Sequence, residues 1–148
     1  GDAALRKPDG PAHLTASAFM LTPDLDHVLL ALHRKAGLWL QLGGHVEDDD
    51  ADLAAAAWRE AREESGLASV RPWRDRPVDL DRHVLVGKFT CHTHWDVGHV
   101  AFASLSDPIA VSDESGQVAW WPLDALPELT TPDLPRRLAH VVAEVRAG

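Results

Sequence analysis

One stretch of the sequence decides the fold: Arg59-Glu60-Ala61-Arg62-Glu63-Glu64-Ser65-Gly66-Leu67, preceded by Gly43-Gly44. From Asp52 onwards the chain holds good helix formers, and Gly66 stands where a helix usually stops. Asp50 or Asp52 can cap the start of this predicted helix. At about 100° per residue, five apolar side chains share one face, which we predict to be buried. They are Leu53, Ala54, Ala57, Trp58 and Ala61.

Three carboxylates, Glu60, Glu63 and Glu64, fall on one edge of the predicted helix, beside its buried face. Like charges at this spacing repel each other, and a divalent cation would remove the repulsion. The wider segment 44–64 holds eight carboxylates and two arginines, so it carries −6 of the formal −9 of the chain. Hard divalent cations prefer oxygen ligands, so the segment is a candidate metal site, although a solvated helix face has the same pattern.

Apolar or alternating runs on both sides of the helix predict β-strands. The runs span residues 13–21, 28–32, 38–42, 83–86, 89–94, 97–105 and 118–121. Gly43-Gly44 ends the third run, and residues 68–82 are interpreted as a loop or edge segment. Pro132 or Pro135 opens a final helix with one apolar face, formed by Leu138, Val141, Val142 and Val145. This order predicts a single α+β layered domain over residues 12–148, after a flexible lead-in over 1–11.

The composition excludes several classes of protein. A length of 148 residues suits a single domain, and no apolar run approaches the roughly 20 residues of a membrane-spanning helix. Cys91 is the single cysteine, which excludes an internal disulfide and a multi-cysteine metal centre. The formal charge of −9 disfavours nucleic acid as a partner. We therefore expect a cytoplasmic protein without a membrane or nucleic-acid partner.

The decisive stretch resembles the Nudix box, the signature of the MutT-like Nudix hydrolases. The box reads Gly, five residues, Glu, seven residues, Arg-Glu, an aliphatic residue, any residue, Glu-Glu, any residue, Gly and an aliphatic residue. Gly44 matches its start, and its second half is matched by Arg59, Glu60, Glu63, Glu64, Gly66 and Leu67. The resemblance extends to the strand that enters Gly43-Gly44 and to the late aromatic segment 118–126.

Two departures from the box concern the loop and the helix. From Gly44 to Arg59 the spacing is one residue longer, so the intermediate glutamate falls at Asp50 or Ala51. Ala61 is small where a larger aliphatic residue is usual. The intermediate glutamate is a supporting residue in this family, and Asp50 can do the same capping work at shorter reach.

The resemblance implies a fold, a cofactor and a set of site residues. The Nudix fold is an α/β/α sandwich, in which helices flank a mixed β-sheet. The implied ligands of Mg²⁺ or Mn²⁺ are the backbone carbonyl of Gly43 and the side chains of Glu60, Glu63, Glu64 and Glu114. Arg59 would orient Glu63 through an i,i+4 ion pair. Glu63 or Glu64 would take the proton of the attacking water, with Glu114 in reserve.

Further residues are candidates for contact with the substrate. His45 follows the two glycines and is a candidate phosphate contact, and Trp39 is a candidate for stacking on a base. Tryptophans in strands are more often core residues, so both interpretations of Trp39 stay open. Asp113 is the alternative to Glu114 as the acid of its loop. A histidine-rich stretch has spacing unlike a compact zinc site, and its role stays open: His83, His92, His94 and His99.

The implied function is metal-dependent hydrolysis of a nucleoside diphosphate linked to another group, or of a related diphosphate. Water activated by the metal would attack phosphorus. An isomerase-type Nudix enzyme and a non-catalytic ligand-sensing Nudix domain are the alternatives, and the presence of Glu60, Glu63 and Glu64 favours the hydrolase. The partner is then a small nucleotide or diphosphate substrate of open identity. Nudix proteins frequently form homodimers, which leaves the oligomeric state open.

Overall fold

The computed structural model describes residues 12–74, 76–86, 91–110 and 115–148. The strands in these ranges are β1 (Ala12–Leu21), β2 (His27–His33), β3 (Leu38–Leu40), β4 (Leu42–His45), β5 (Arg71–Pro72), β6 (Asp79–Val86), β7 (Cys91–Phe102) and β8 (Ser115–Pro122). The helices are α1 (Leu53–Ser65) and α2 (Leu134–Ala147).

The described strands form one mixed sheet with β1 near its centre. β1 pairs in parallel with β7, from Ala12 opposite Thr93 to Leu21 opposite Phe102. On its other edge, β1 pairs antiparallel with β4 and then with β2, which also pairs with β3 and β8. Strands β5 and β6 pair antiparallel with β7. This order brings β4 and its two glycines to the middle of the sheet.

The two helices cover opposite faces of the sheet, because the side chains of β1 alternate between two apolar clusters. Ala16, Ala18 and Met20 belong to the cluster that contains the buried face of α1. Phe19 and Leu21 belong to the cluster that contains the buried face of α2. The prediction of an α/β/α sandwich around a mixed sheet is confirmed.

Helix α1 begins and ends where the sequence predicts. Asp52 is the N-cap, and its side chain accepts a hydrogen bond from the Ala55 N–H at 2.8 Å. Gly66 ends the helix with a left-handed φ of 72° and donates its N–H to the Arg62 carbonyl. Four of the five residues predicted for the apolar face are buried, and Leu53 is partly buried against the same cluster.

Helix α2 starts one residue before Pro135, which occupies its first turn, so the second of the two predicted start prolines is confirmed. The predicted face is buried at Leu138, Val141 and Val142 and partly buried at Val145. Of the helices in the described ranges, neither is long and apolar enough to cross a lipid bilayer.

Strand boundaries differ from prediction in three places. The predicted strand 38–42 is interrupted at Gln41, and β4 continues through Gly43-Gly44 because these residues pair with Ser17 and Ala16 of β1. The segment 68–82, predicted as a loop or edge segment, contains β5 and the start of β6. Residues 91–94 and 97–102 of the two predicted strands 89–94 and 97–105 belong to one strand, β7, and residues 103–105 lie beyond its end. Each correction depends on pairing with a strand far away in the sequence, which local patterns do not report.

Candidate active site

Two glycines of β4 let the carboxylate edge of α1 approach the backbone. Glu64 Oε1 accepts a hydrogen bond from the Gly43 N–H at 2.7 Å. A Cβ atom added to Gly44 would lie 2.6 Å from the carboxyl carbon of Glu60. A Cβ atom added to Gly43 would lie 2.7 Å from the Ala16 carbonyl oxygen. A side chain at either position would therefore collide with the strand or with the glutamates beside it.

A cleft of about 730 Å³ opens beside these residues, a volume typical of small-molecule sites. Gly43, Gly44 and His45 form part of its lining, next to Val46. The Asp and Glu side chains among its described lining residues are Glu47, Asp48, Glu60 and Glu64. No Lys or Arg belongs to that described lining, so the cleft carries an excess of negative charge.

Arg59 connects the loop after β4 to helix α1. Its Nε and Nη2 atoms donate to the two carboxylate oxygens of Asp50 at 2.8 and 2.9 Å, and Nη2 also donates to the His45 carbonyl at 3.1 Å. Nη1 donates to Glu60 at 2.9 Å and to Glu63 at 3.3 Å. Hydrogen bonding to the Asp50 carboxylate is the main reason that the pKa of Arg59 is raised above its usual value. The guanidinium is thus a permanent charge that fixes two of the helix carboxylates.

Asp50 takes the place of the intermediate glutamate of the box. Besides binding Arg59 with both oxygens, its carboxylate accepts a hydrogen bond from the Glu47 N–H at 2.8 Å. The loop with its extra residue therefore brings a shorter acidic side chain to the arginine. Capping of α1 falls to Asp52 instead.

Glu63 is set apart from the other two helix glutamates by its exposure. Its side chain is 62% exposed, whereas that of Glu60 is 15% exposed. The predicted i,i+4 ion pair between Arg59 and Glu63 is present at 3.3 Å. Within the described ranges, no three His, Cys, Asp or Glu side chains form a group that could hold a metal ion. Glu60 and Glu64 already line the cleft, and Glu63 has to turn from Arg59 to join them.

A second cavity of about 620 Å³, here called the distal pocket, adjoins the cleft across Gly43-Gly44. Its described lining includes residues of strands β1, β2, β3, β4, β6 and β7, of α2 and of the segment before α2, among them Ser17, Asp96, Asp133 and Arg137. The two cavities share part of their lining, including Gly43 and Gly44.

Arg137 lies buried behind the distal pocket and joins α2 to the sheet. Its guanidinium donates to Asp79 Oδ2 at 2.8 and 2.6 Å and to Asp96 Oδ2 at 2.8 Å. Burial lowers the pKa of Arg137, but the hydrogen bonds of Asp96 and Asp79 outweigh this effect and leave it raised. Asp96 also accepts hydrogen bonds from Thr15 and Ser17. We call this group the Arg137 network.

The NUDIX domain family matches residues 11–144 of the sequence. This match covers nearly all of the described chain, including both cavities. The chain belongs to the NUDIX domain family. The prediction of a Nudix-type hydrolase is confirmed. Of the box residues, Gly44, Glu60 and Glu64 line the cleft of this NUDIX domain, and Arg59 donates hydrogen bonds to Glu60 and Glu63.

Solved structures similar to this NUDIX protein support the fold. A NUDIX-family hydrolase from Clostridium perfringens has 25% sequence identity and a TM-score of 0.64, with 90% of this chain and 96% of that chain covered. A MutT NUDIX hydrolase from Burkholderia pseudomallei has 21% identity and a TM-score of 0.67, with 88% and 98% covered. A C. elegans Ap4A hydrolase binary complex has 17% identity and a TM-score of 0.72, with 91% and 98% covered. No curated protein matches the sequence significantly.

The remaining candidate residues of this NUDIX protein are placed in different parts of the molecule. His45 lines the cleft, beside Gly43 and Gly44. Trp39 is buried in the cluster beneath α2, where its ring packs edge-on against Trp121 at 5.2 Å, so we assign it to the core rather than to substrate stacking. Asp113 and Glu114 lie outside the described residues.

The two histidines of the histidine-rich stretch whose side chains are described, His94 and His99, contact different parts of the molecule. His94 lines the distal pocket, and its ring lies 6.0 Å from that of His45. His99 is buried with its ring 5.8 Å from that of Trp58. The side chains of His83 and His92 lie outside the described part of the molecule.

The sequence analysis did not predict the Arg137 network, although the sequence contains one signal for it. Leu134, Leu138 and Val141 mark the apolar face of α2, and Arg137 lies on that same face. A charged residue on an apolar face indicates a buried partner of opposite charge. No local pattern indicates that the partners are Asp79 and Asp96.

Proposed function

We propose that this NUDIX protein hydrolyses a diphosphate bond in a small nucleotide-like compound, with Mg²⁺ or Mn²⁺ as cofactor. The substrate class is a nucleoside diphosphate linked to another group, or a related diphosphate. One observation carries the proposal: Glu60 and Glu64 of the box reach the backbone of Gly43-Gly44 in an open cleft. The similar Ap4A hydrolase gives the same class of compound as a starting point.

The chemistry of the cleft fits a hard divalent cation. The carboxylates of the cleft would repel an anionic diphosphate, and a cation held between them would reverse that repulsion. Glu60 and Glu64, with Glu63 and the Gly43 carbonyl, would supply oxygen ligands only. When bound, the metal supplies positive charge to the phosphate oxygens and lowers the pKa of a bound water.

The residues of the chain divide the remaining work. Arg59 holds Glu60 and Glu63 in position through Nη1, and Asp50 in turn fixes Arg59. Glu64 is fixed by the Gly43 N–H, which suits a ligand. The side chain of Glu63 is 62% exposed, so it is open to a water molecule. We assign Glu63 as the base that takes the proton of the attacking water.

Three residues complete the proposed site without structural support for their roles. His45 lines the cleft and would contact a phosphate group. Glu114 would complete the metal ligands when substrate is bound, and Asp113 is its alternative. These last two assignments rest on the resemblance of the sequence to Nudix hydrolases.

The proposal is tested with Glu63→Gln, which preserves shape and removes one negative charge. A screen of nucleotide and diphosphate compounds with Mg²⁺ or Mn²⁺, read out as release of phosphate or pyrophosphate, first identifies the compound with the fastest turnover. On that compound, kcat should fall by about 10²–10⁴-fold, as expected for loss of an acid–base group. Glu128→Gln, an exposed glutamate away from both cavities, is the control.

Two results would contradict the proposal. Unchanged turnover of Glu63→Gln at saturating metal would exclude Glu63 as base or ligand. Binding of nucleotides without release of phosphate from any of them would favour the ligand-sensing alternative.

A further inference from the structure

The distal pocket is placed to hold the part of the substrate that lies beyond the diphosphate. Both cavities are lined by His33, Leu40, Gln41, Gly43 and Gly44. A diphosphate bound beside Glu60 and Glu64 would lie at this shared border. The group attached to it then has the distal pocket within reach, so the chemistry of that pocket bears on which substrates are accepted.

The charge of the distal pocket disfavours an anionic group. Its described lining has three carboxylates, Asp81, Asp96 and Asp133, against the single guanidinium of Arg137. That guanidinium is already engaged by Asp79 and Asp96, with donor–acceptor distances of 2.6–2.8 Å. Its charge is thereby offset within the protein, and a phosphate or carboxylate in the pocket would meet net negative charge.

Two hydrogen-bond acceptors of the pocket are left for a ligand. Asp133 is the N-cap residue of α2, yet its side chain makes no capping hydrogen bond. In the described ranges its carboxylate has no hydrogen bond or ion pair. Its helical backbone angles, φ −91° and ψ −9°, and the missing N–H of Pro135 explain why no cap forms. The carboxylate instead belongs to the lining of the distal pocket.

The second acceptor is the side-chain carbonyl of Gln41. Its Nε2 atom donates to Asp96 Oδ2 at 3.1 Å, and because a carboxylate only accepts, this bond fixes the orientation of the amide. The Oε1 atom is buried and has no hydrogen-bond partner among the described residues. A buried carbonyl oxygen without a donor is costly, and a donor group of a ligand would satisfy it.

We propose that the distal pocket selects substrates whose group beyond the diphosphate is uncharged or cationic and presents hydrogen-bond donors to Asp133 and Gln41. An amino-substituted base and a hydroxyl-rich sugar both have this chemistry. A group with a carboxylate or further phosphate does not. The inference rests on the proposed function, because it assigns the two ends of one substrate to the two cavities.

Matched pairs of compounds test this selection and show whether the pocket recognises a base or a sugar. GTP against ITP removes one exocyclic amine from a base, and UDP-glucose against UDP-glucuronate replaces a hydroxyl-bearing carbon with a carboxylate. In whichever pair is hydrolysed faster, GTP or UDP-glucose should have a kcat/KM at least about tenfold higher than its counterpart. This is the effect of one hydrogen bond to a charged group. The pair that shows the preference identifies the base or the sugar as the occupant.

Variants connect the preference to the two acceptors. Asp133→Asn replaces one acceptor oxygen with a donor, and Gln41→Leu removes the amide carbonyl, so each should reduce the preference to below about threefold. Asp124→Asn removes the same charge as Asp133→Asn at an exposed turn outside both cavities and should keep the full preference. Equal rates for both members of every hydrolysed pair would overturn the inference, as would a preference that survives both variants.

A binding measurement without metal separates failure of the inference from failure of the proposed function. Guanosine and inosine carry no phosphate, and titration calorimetry in EDTA compares their binding to the wild-type protein and to Asp133→Asn. If guanosine binds more tightly than inosine and Asp133→Asn abolishes this difference, selection by hydrogen-bond donors is supported. This conclusion would hold even if no compound were hydrolysed, and only the proposed function would then fail. Equal binding of the two nucleosides together with hydrolysis of both GTP and ITP at one rate leaves the hydrolase intact and overturns the selection by an amine.

Discussion

Arg59 and Arg137 each bind several carboxylates, and the two arginines differ in how exposed they are. Arg59 at the cleft has a side chain that is 21% exposed, and two of its partners, Glu47 and Glu63, are more than half exposed. Arg137 behind the distal pocket is 6% exposed, and its partners Asp79 and Asp96 are equally buried. Both guanidinium groups bring distant parts of the chain together, but the first is the more exposed of the two.

This difference separates a site that can rearrange from one that cannot. The exposed partners of Arg59, Glu47 and Glu63, can exchange it for water or a cation at modest cost, because an exposed ion pair contributes little free energy. The carboxylates around Arg137 have no such alternative, because an unpaired charge in the protein interior costs several kcal/mol. We therefore expect Arg59 to act mainly on catalysis and Arg137 mainly on stability.

The largest effect on stability is expected from Arg137→Met. Removing the guanidinium leaves Asp79 and Asp96 buried without their counter-ion, which should lower the free energy of unfolding by about 3–5 kcal/mol. Denaturant unfolding followed by circular dichroism measures the change. Arg136→Met, an exposed position next in the chain, is the control and should change stability by less than about 0.5 kcal/mol.

A combined variant sharpens this prediction. Adding Asp79→Asn and Asp96→Asn to Arg137→Met removes the buried negative charges and should restore part of the lost stability. A triple variant that is less stable than Arg137→Met alone would show that the hydrogen bonds, rather than charge balance, dominate the Arg137 network.

The two glycines of β4 should differ in the same way, with Gly43 acting mainly on stability and Gly44 mainly on turnover. Gly43→Ala places a methyl group 2.7 Å from the Ala16 carbonyl oxygen, which is backbone of the central strand, so it should cost about 1–3 kcal/mol of stability. Gly44→Ala meets only the flexible end of Glu60. It should change the melting temperature little and reduce turnover by displacing that carboxylate.

Gly116→Ala is the control for both glycine variants, since its nearest neighbours lie 3.6 Å away at ordinary contact distance. Thermal unfolding and turnover are measured on all three proteins. An unstable Gly44→Ala protein would mean that Glu60 is held more rigidly than its position at the cleft edge indicates.

Arg59→Lys keeps the charge at the cleft but loses the two-point contact with Asp50. We expect kcat/KM to fall by about 10–100-fold, the usual loss when a residue that orients metal ligands is changed. Arg62→Lys, exposed on the same helix, is the control. If Arg59→Lys lost as much stability as Arg137→Met, the contrast between the two networks would be wrong.

The smallest effect is the response of stability to metal. Mg²⁺ at ten times its dissociation constant should stabilise the folded protein by about 1.4 kcal/mol, because it binds only the folded state. Differential scanning fluorimetry measures the rise in melting temperature, and EDTA should reverse it. NaCl of equal ionic strength controls for general screening of the acidic segment. Equal shifts with both salts would argue for a solvated helix face.

The sequence predicted the half of the site that is local in the chain. The helix, its caps and the edge formed by Glu60, Glu63 and Glu64 follow from spacing within one segment. The layered fold follows from the order of strands and helices. For the loop with its extra residue, the sequence left the supporting position open between Asp50 and Ala51, and the contacts of Arg59 show that Asp50 is the residue it binds.

The remaining half depends on contacts between distant segments. Arg137 and Asp79 are 58 residues apart, and no periodicity within either segment identifies the other. Gly43-Gly44 looked like a strand end because glycine disfavours strands, but pairing with β1 outweighed that preference. The described lining of the distal pocket includes residues of seven separate elements, so the pocket is visible only once they are assembled.

During synthesis, β1 is made well before β7, the strand with which it pairs in parallel. Thr15 of β1 and its partner Asp96 of β7 are 81 residues apart in the chain. At about 5–20 residues per second, a ribosome needs roughly 4–16 s to make that interval. During this time the apolar central strand has an open edge, the kind of edge on which chains aggregate. A chain that ends before residue 93 lacks this partner and should therefore depend on chaperones more than a chain that extends past residue 102, in which β1 can pair with β7.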